Sequence, residues 1–324
     1  MITTIMTIVS TYVPAITLDI HGTSFLVNQK PMFLLGASYY GGLGASDDFV
    51  NRDLRELKNH GFNWIRVWAT WSAFGNNVSA VDSEGKAREP YLSKLKHLCE
   101  KADQLEMIVD VTLSRGNGIV GSGLLPSFES HLNAVTVLTK ELKQYRNIYF
   151  DIGNERNIRD RRHVPFEELK ELRNRIKELD AERLVTASHA GDISTEELHD
   201  YLTVVQVDFI CPHRPRNAES PHQTAEKTQE YLYHMQELGR IVPVHYQEPF
   251  RRGFGNWQPE TQDFLIDLKN ARQGSAAGWC LHNGDVRKKD DGRPRRSFDM
   301  REAEGRLFKQ LEAEEKAVVE QAAF

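Results

Sequence analysis

Eight short apolar runs recur along the chain, each separated from the next by a stretch whose apolar positions fall three or four residues apart. The runs are Met32–Ala37, Phe62–Trp68, Met107–Leu113, Asn147–Gly153, Arg183–Ala187, Val207–Pro212, Ile241–Tyr246 and Ser275–Leu281. Between them, Leu92, Leu95, Cys99, Ala102 and Leu105 trace one face of a helix. Ser46 before Asp47 and Asp48 marks a helix start, with Gly61 as its stop, and Gly239 closes another helix in the same way. Strands alternating with helices predict a parallel sheet, and eight such units predict a closed (β/α)8 TIM barrel. The run Gly41-Gly42-Leu43-Gly44 lacks the spacing of a dinucleotide-binding loop, which disfavours an open nucleotide-binding sheet. Residues 17–31 read as an N-terminal β-hairpin placed to plug the barrel floor. With no repeat beyond the β/α period and no linker, one domain is expected: 1–31 as lead-in and hairpin, 32–324 as barrel.

Composition adds little beyond a globular class. The 324 residues are 40% hydrophobic and 27% charged, and no apolar stretch approaches the roughly 20 residues of a membrane span. A net charge of −5 gives no reason to expect nucleic acid. Cys99, Cys211 and Cys280 lack zinc or redox spacing and read as buried thiols. Val13-Pro14-Ala15 faintly resembles a signal cleavage site, but Met1–Ala15 carries no Lys or Arg, so a cytoplasmic location is expected.

The chemistry is concentrated where strands end. Asn147-Ile-Tyr-Phe-Asp-Ile-Gly-Asn-Glu155 and Ile241-Val-Pro-Val-His-Tyr-Gln-Glu248 each deliver a carboxylate as a strand gives way to loop. The two lie 93 positions apart (248 − 155), so only barrel closure would bring them together. Paired carboxylates flanking one bond are what glycoside hydrolysis needs, one to shuttle a proton and one to attack or to activate water. In a TIM barrel the site lies at the C-terminal strand ends. Those ends also hold Tyr39, Tyr40, Arg66, Trp68, Thr112, Asn154, His213, Tyr246, Trp279 and His282, a set suited to stacking on sugar rings and bonding their hydroxyls.

Phe62-Asn-Trp-Ile-Arg66, Asn154-Glu155, His213 and Glu248 occur in the order and at the strand positions of clan A retaining glycoside hydrolases, and the chain resembles their cellulase-like family 5. The lead-in Phe25-Leu-Val-Asn-Gln-Lys-Pro-Met-Phe-Leu-Leu-Gly36 is similar as well, so the resemblance covers about residues 20–285. It implies Glu155 as general acid/base, Glu248 as nucleophile, Asn154 on the sugar 2-hydroxyl and Trp279 as the floor under the cleaved sugar. It further implies Arg66 as the cation that orients Glu248 and keeps it ionised, while His213 at its strand end reads either as a substrate contact or as a satisfied loop histidine. Glu155 should then sit in a drier or more negative setting than Glu248, so that it starts protonated. Arg66 is also placed to pair with Asp151 inside the barrel. The chain departs from the family at Asp110-Val-Thr112, where Asp-x-His is usual, and at His213-Arg-Pro215, where His-x-Tyr is usual. Arg156 follows Glu155 in place of a frequent proline, and Tyr246 is the nearest substitute for the missing tyrosine.

The expected activity is retaining hydrolysis of a β-glycosidic bond in an oligosaccharide or polysaccharide, without cofactor or metal. Two rivals are a non-catalytic carbohydrate-binding barrel and a metal-dependent TIM-barrel enzyme, though no strand end carries His-x-His or clustered acids. The loops after the strands are rich in arginine: Arg115, Arg156, Arg159, Arg161, Arg162, Arg214, Arg216, Arg251 and Arg252, then Arg287 to Arg296. Such a ring of cations either attracts an acidic sugar or pairs with neighbouring loop acids.

Overall fold

The structure, a computed structural model, describes residues 12–114, 125–159, 162–253, 256–284 and 297–323. Every predicted run contributes to one ring of parallel strands. Seven form a continuous sheet in the spatial order Val185–Thr186, Ile148–Asn154, Ile108–Ser114, Trp64–Trp68, Leu34–Ser38, Gly278–Leu281 and His245–Tyr246. Ser188–His189 continues the fifth strand and pairs in parallel with Cys211–Pro212, the sixth. A parallel bridge between Ile210 and Val244 joins the sixth strand to the seventh. Its hydrogen bonds, Ile210 N to Pro243 O at 3.0 Å and His245 N to Ile210 O at 2.9 Å, close the ring. The fold is the expected (β/α)8 TIM barrel.

The helices follow the sequence signals. Ser46 caps helix Asp47–Asn59, its side chain accepting from Phe49 N, and Val50, Leu54 and Leu57 are the face it buries. Helix Tyr91–Gln104 buries Leu92, Leu95, Cys99 and Ala102, four positions of the expected stripe. Gly61 and Gly239 both have φ above +70°, the left-handed conformation that ends a helix without a Cβ clash.

Strand alternation sorts the core into two bodies. Outward side chains meet the helices in the larger one. Inward side chains of the lower barrel, with Trp64, Tyr149 and Phe209 as the largest, pack on the N-terminal hairpin. That hairpin has a third strand beyond the expected two: Leu18–His21, Ser24–Val27 and Lys30–Met32 pair antiparallel. Asn28 and Gln29 both take positive φ, as a two-residue hairpin turn requires. Phe25 points up into the barrel floor, its ring 5.0 Å from Phe209 and 5.5 Å from His245. Gly36 admits the Trp64 ring, since a Cβ there would lie 1.8 Å from Trp64 Cε3. The floor is thus filled with aromatic rings, and the site is built above it.

Among the described residues no helix is long and apolar enough to cross a membrane. Cys99, Cys211 and Cys280 are buried free thiols.

Candidate active site

Above the aromatic floor the inward positions turn polar. His245 Nε2 lies 3.0 Å from the Tyr149 hydroxyl, and Gln247 Nε2 donates to that hydroxyl at 3.2 Å and to Asp110 Oδ2 at 2.8 Å. The next layer is built on Arg66, fully buried on the second strand. Its Nε donates to Asp110 Oδ2 and Thr112 Oγ1, both at 3.0 Å; its Nη2 donates to Asp151 Oδ2 at 2.7 Å and Asn154 Oδ1 at 3.0 Å. Its Nη1 reaches up to Glu248 Oε1. The departure at Thr112 therefore stays inside this network: the hydroxyl accepts from Arg66 and donates to Asp110 at 2.9 Å.

Glu155 and Glu248 meet in the top layer, both buried. Glu155 has φ of +46°, a left-handed conformation that costs a non-glycine residue about 1–3 kcal/mol and concentrates at functional sites. Ser188 Oγ accepts from its backbone N–H at 3.0 Å and holds this turn. His213 Nδ1 lies 3.3 Å from Glu155 Oε1 and 3.6 Å from Glu248 Oε2. The Tyr40 hydroxyl donates to Glu248 Oε1, and His282 Nε2 stands 3.8 Å from Glu248 Oε2. Arg216 closes the group: its Nη2 donates to Glu155 Oε1 at 3.1 Å and to Glu248 Oε2 at 3.0 Å.

These surroundings set the charges. Burial pushes the Glu248 carboxyl up, but His213, His282, Arg66 and Arg216 outweigh it and hold the group well below the usual range. Glu155 is also pushed up by burial, yet the His213 hydrogen bond and the Arg216 charge bring it below its ordinary value despite Glu248 beside it. The surroundings favour the ionised form of both. The expectation of a protonated Glu155 in the more negative setting is thus not what the structure displays, and Arg216 and His213 are the reason. Tyr40 keeps its proton, because burial and the adjacent Glu248 raise its hydroxyl far above the ordinary value.

Two expected site residues lie elsewhere. Tyr246 points away from Glu248, its hydroxyl 2.6 Å from Thr228 Oγ1 on helix Ser220–Glu237. Trp279 also faces outward, its Nε1 donating to Asp267 Oδ2 at 2.7 Å on helix Thr261–Gln273, so it forms no floor for a sugar. Both have the outward parity of their strands; His245 and Gln247, and Cys280 and His282, have the inward one. Counting back from Glu248 would keep Tyr246 inward, but the strand ends at Tyr246 and its alternation does not carry on to Glu248. The tyrosine on Glu248 is Tyr40, from the first strand. Its ring packs 5.4 Å from Trp68, 5.5 Å from Trp71 and 5.7 Å from His282, an aromatic wall on one side of the carboxylates. Arg216 carried no local signal that separated it from the other loop arginines.

Those other arginines mostly meet acids. Arg156 pairs with Glu197 at 2.8 Å and lies over the Phe166 ring, tying the loop after Glu155 to the helices. Arg162 pairs with Glu168 at 2.5 Å, Arg252 with Glu312 at 3.0 Å, and Arg214 with Asp192. Arg115, Arg161 and the stretch Arg287 to Arg296 lie outside the described residues. Glu155, His213 and Glu248 each offer a ligand atom within 4.8 Å of the others, a spacing that a divalent ion could bridge. The cation between the two carboxylates here is the Arg216 guanidinium.

No family model matches the chain, and no curated protein sequence matches it. Solved structures do. The barrel is similar to the endo-1,4-β-mannanase of Rhizomucor miehei, with TM-score 0.67 over 95% of this chain and 98% of that one, at 13% identity. A family 5 mannosidase from the same organism gives 0.64 over 95% and 97%, at 12% identity. A family 5 glycoside hydrolase from Bacteroides vulgatus gives 0.65 over 86% and 65%, at 16% identity. The fold is that of the cellulase-like, family 5 type, as the motifs implied.

Proposed function

We propose that this protein is a glycoside hydrolase that cleaves a β-glycosidic bond with retention, using Glu248 as nucleophile and Glu155 as general acid/base. The observation that carries the reading is the proximity of the two carboxylates. An oxygen of Glu155 and one of Glu248 lie within 4.8 Å of each other. Direct attack on the sugar calls for a separation of about 5–5.5 Å, whereas a water held between carboxylates calls for about 6.5–9.5 Å.

In the first step the Glu248 carboxylate forms a bond to the anomeric carbon as the bond to the leaving oxygen breaks. Glu155 gives its proton to that oxygen. In the second step Glu155 takes a proton from water, the water oxygen bonds to the anomeric carbon, and Glu248 leaves as carboxylate. Arg66 and Tyr40 aim Glu248 and hold it ionised for the attack. Asn154, kept in place by its bond from Arg66, is positioned for the 2-hydroxyl. His213, beside both carboxylates, is placed to contact the sugar at the same point.

The mannanase and mannosidase activities of the similar structures make β-mannosides the first substrates to try. The ion pairs of Arg156, Arg162, Arg214 and Arg252 favour a neutral glycan over an acidic one. Matched neutral and uronate substrates at low and high salt separate the two. Trapping with activated 2-fluoro glycosides, followed by mass spectrometry, tests the mechanism: a label on Glu248 is expected. A label on another residue, or a product of inverted anomeric configuration, overturns it.

A further inference from the structure

Arg216 and Arg66 both touch Glu248, but they are held very differently. Arg66 is sealed in the barrel, with no exposed side-chain surface and with Asp110, Asp151, Asn154 and Glu248 around it. The Arg216 side chain retains 18% of its exposure and reaches the carboxylates from the loop after the sixth strand. Two residues upstream, Arg214 has φ of +47° and is anchored by Asp192 and by Ser220 O at 3.2 Å. Pro215 fixes the backbone between them. The backbone is therefore stiff up to the base of Arg216, while its long side chain has solvent on one side.

The position of the guanidinium is the second point. Its Nη2 is 3.1 Å from one carboxylate and 3.0 Å from the other. A glycosidic bond in reach of both carboxylates must occupy that same space. Guanidinium and sugar exclude one another.

We propose that Arg216 is a resident cation of the site, which holds Glu155 and Glu248 together and which the entering sugar displaces toward the mouth. This rests on the hydrolase reading for the identity of the ligand, though the clamp itself does not. The displacement changes the charge around Glu155 in the direction the first step needs. With Arg216 in place, Glu155 faces His213, Arg216 and Glu248. Glu248 faces Arg66, Arg216, His213 and His282 as well as the Tyr40 hydroxyl. Withdrawing Arg216 leaves two buried carboxylates side by side with one fewer cation, which raises the cost of keeping both ionised. His213 stays beside both, but Glu248 also keeps Arg66, His282 and Tyr40, so the proton goes to Glu155, where the first step needs it. Arg216 thereby acts as a positioning residue that loads the general acid only when substrate is present, and the energy of breaking its two ion pairs weakens apparent binding.

The test uses two readouts on the full chain. The alkaline limb of kcat/KM reports Glu155 in the free enzyme, and that of kcat reports it in the complex. In the wild type the kcat/KM limb should lie at lower pH than the kcat limb; in Arg216→Ala it should rise by about 1–3 pH units toward it, with a lower KM. Coincident limbs in the wild type overturn the proposal without any variant. The second readout needs no substrate: protein labelled with 13C at glutamate carboxyls, with Glu155 identified by Glu155→Gln, is titrated by NMR. The Glu155 signal should move to higher pH in Arg216→Ala, with Arg216→Lys between the two. If no glycoside is turned over, the hydrolase reading falls while the titration still decides on Arg216. An unmoved Glu155 signal overturns the clamp, and a shift upholds it.

Discussion

Replacing Arg66 by methionine keeps most of the volume and removes the guanidinium on which the polar layer of the barrel interior is built. Asp110, Asp151 and Glu248, all buried and all bonded to Arg66, would lose that cation together. Removing one partner of a buried ion pair costs about 3–5 kcal/mol, because the remaining charge is left uncompensated. For 324 residues, unfolding entropy of about 2.1 cal/mol/K per residue makes each kcal/mol worth roughly 1.5 °C of melting temperature. Arg66→Met should therefore melt about 4–7 °C below the wild type near neutral pH. The sign of the pH dependence separates charge from packing. Arg66 is one of the cations that hold Glu248 well below its ordinary value, so without Arg66 that carboxyl titrates higher in the folded state. A carboxyl held low in the folded state contributes stability above its unfolded value and loses it as pH falls through the folded one. The gap between variant and wild type, followed by differential scanning calorimetry, should thus be full at about pH 7 and smaller at about pH 3. An equal gap at both would refute the electrostatic argument and leave lost packing as the cause.

Tyr40→Phe should lower kcat about 10- to 100-fold, since it removes a hydrogen bond to a charged group worth about 1.5–3 kcal/mol, whereas Tyr246→Phe should leave kcat unchanged; steady-state kinetics on any accepted glycoside compares them. Trp279→Phe takes a donor from the buried Asp267, so stability should fall by about 1–3 kcal/mol in urea titration with KM unaltered, and a raised KM would return the indole to the sugar site. Phe25→Ala should cost about 3–5 kcal/mol by emptying the barrel floor, with the pH profile of any activity unchanged because the hairpin lies at the opposite end from the carboxylates.

Periodicity along the chain determined the eight strands, the helices between them and hence the barrel. Those are local signals: an amphipathic face, a serine cap or a glycine stop is written within a few residues. The ends of strands were legible for the same reason, which is why Glu155, Glu248, Arg66, Asn154 and His213 could be named together and do converge. Strand number then favours closure, because a closed ring of eight parallel strands leaves no edge unpaired.

What the tertiary structure decided is which way and how far side chains reach. Tyr246 and Trp279 stand one residue off the inward parity, and a single step along a strand moves a side chain from the barrel interior to the helical layer. Tyr40 becomes the tyrosine on Glu248 only because the first and seventh strands face the same space, 208 positions apart in the chain. Arg216 was one arginine among many in the sequence. Its guanidinium matters because its loop ends at the point where both carboxylates arrive. That coincidence in space, set by barrel closure and by the anchor at Arg214, leaves no trace in local spacing.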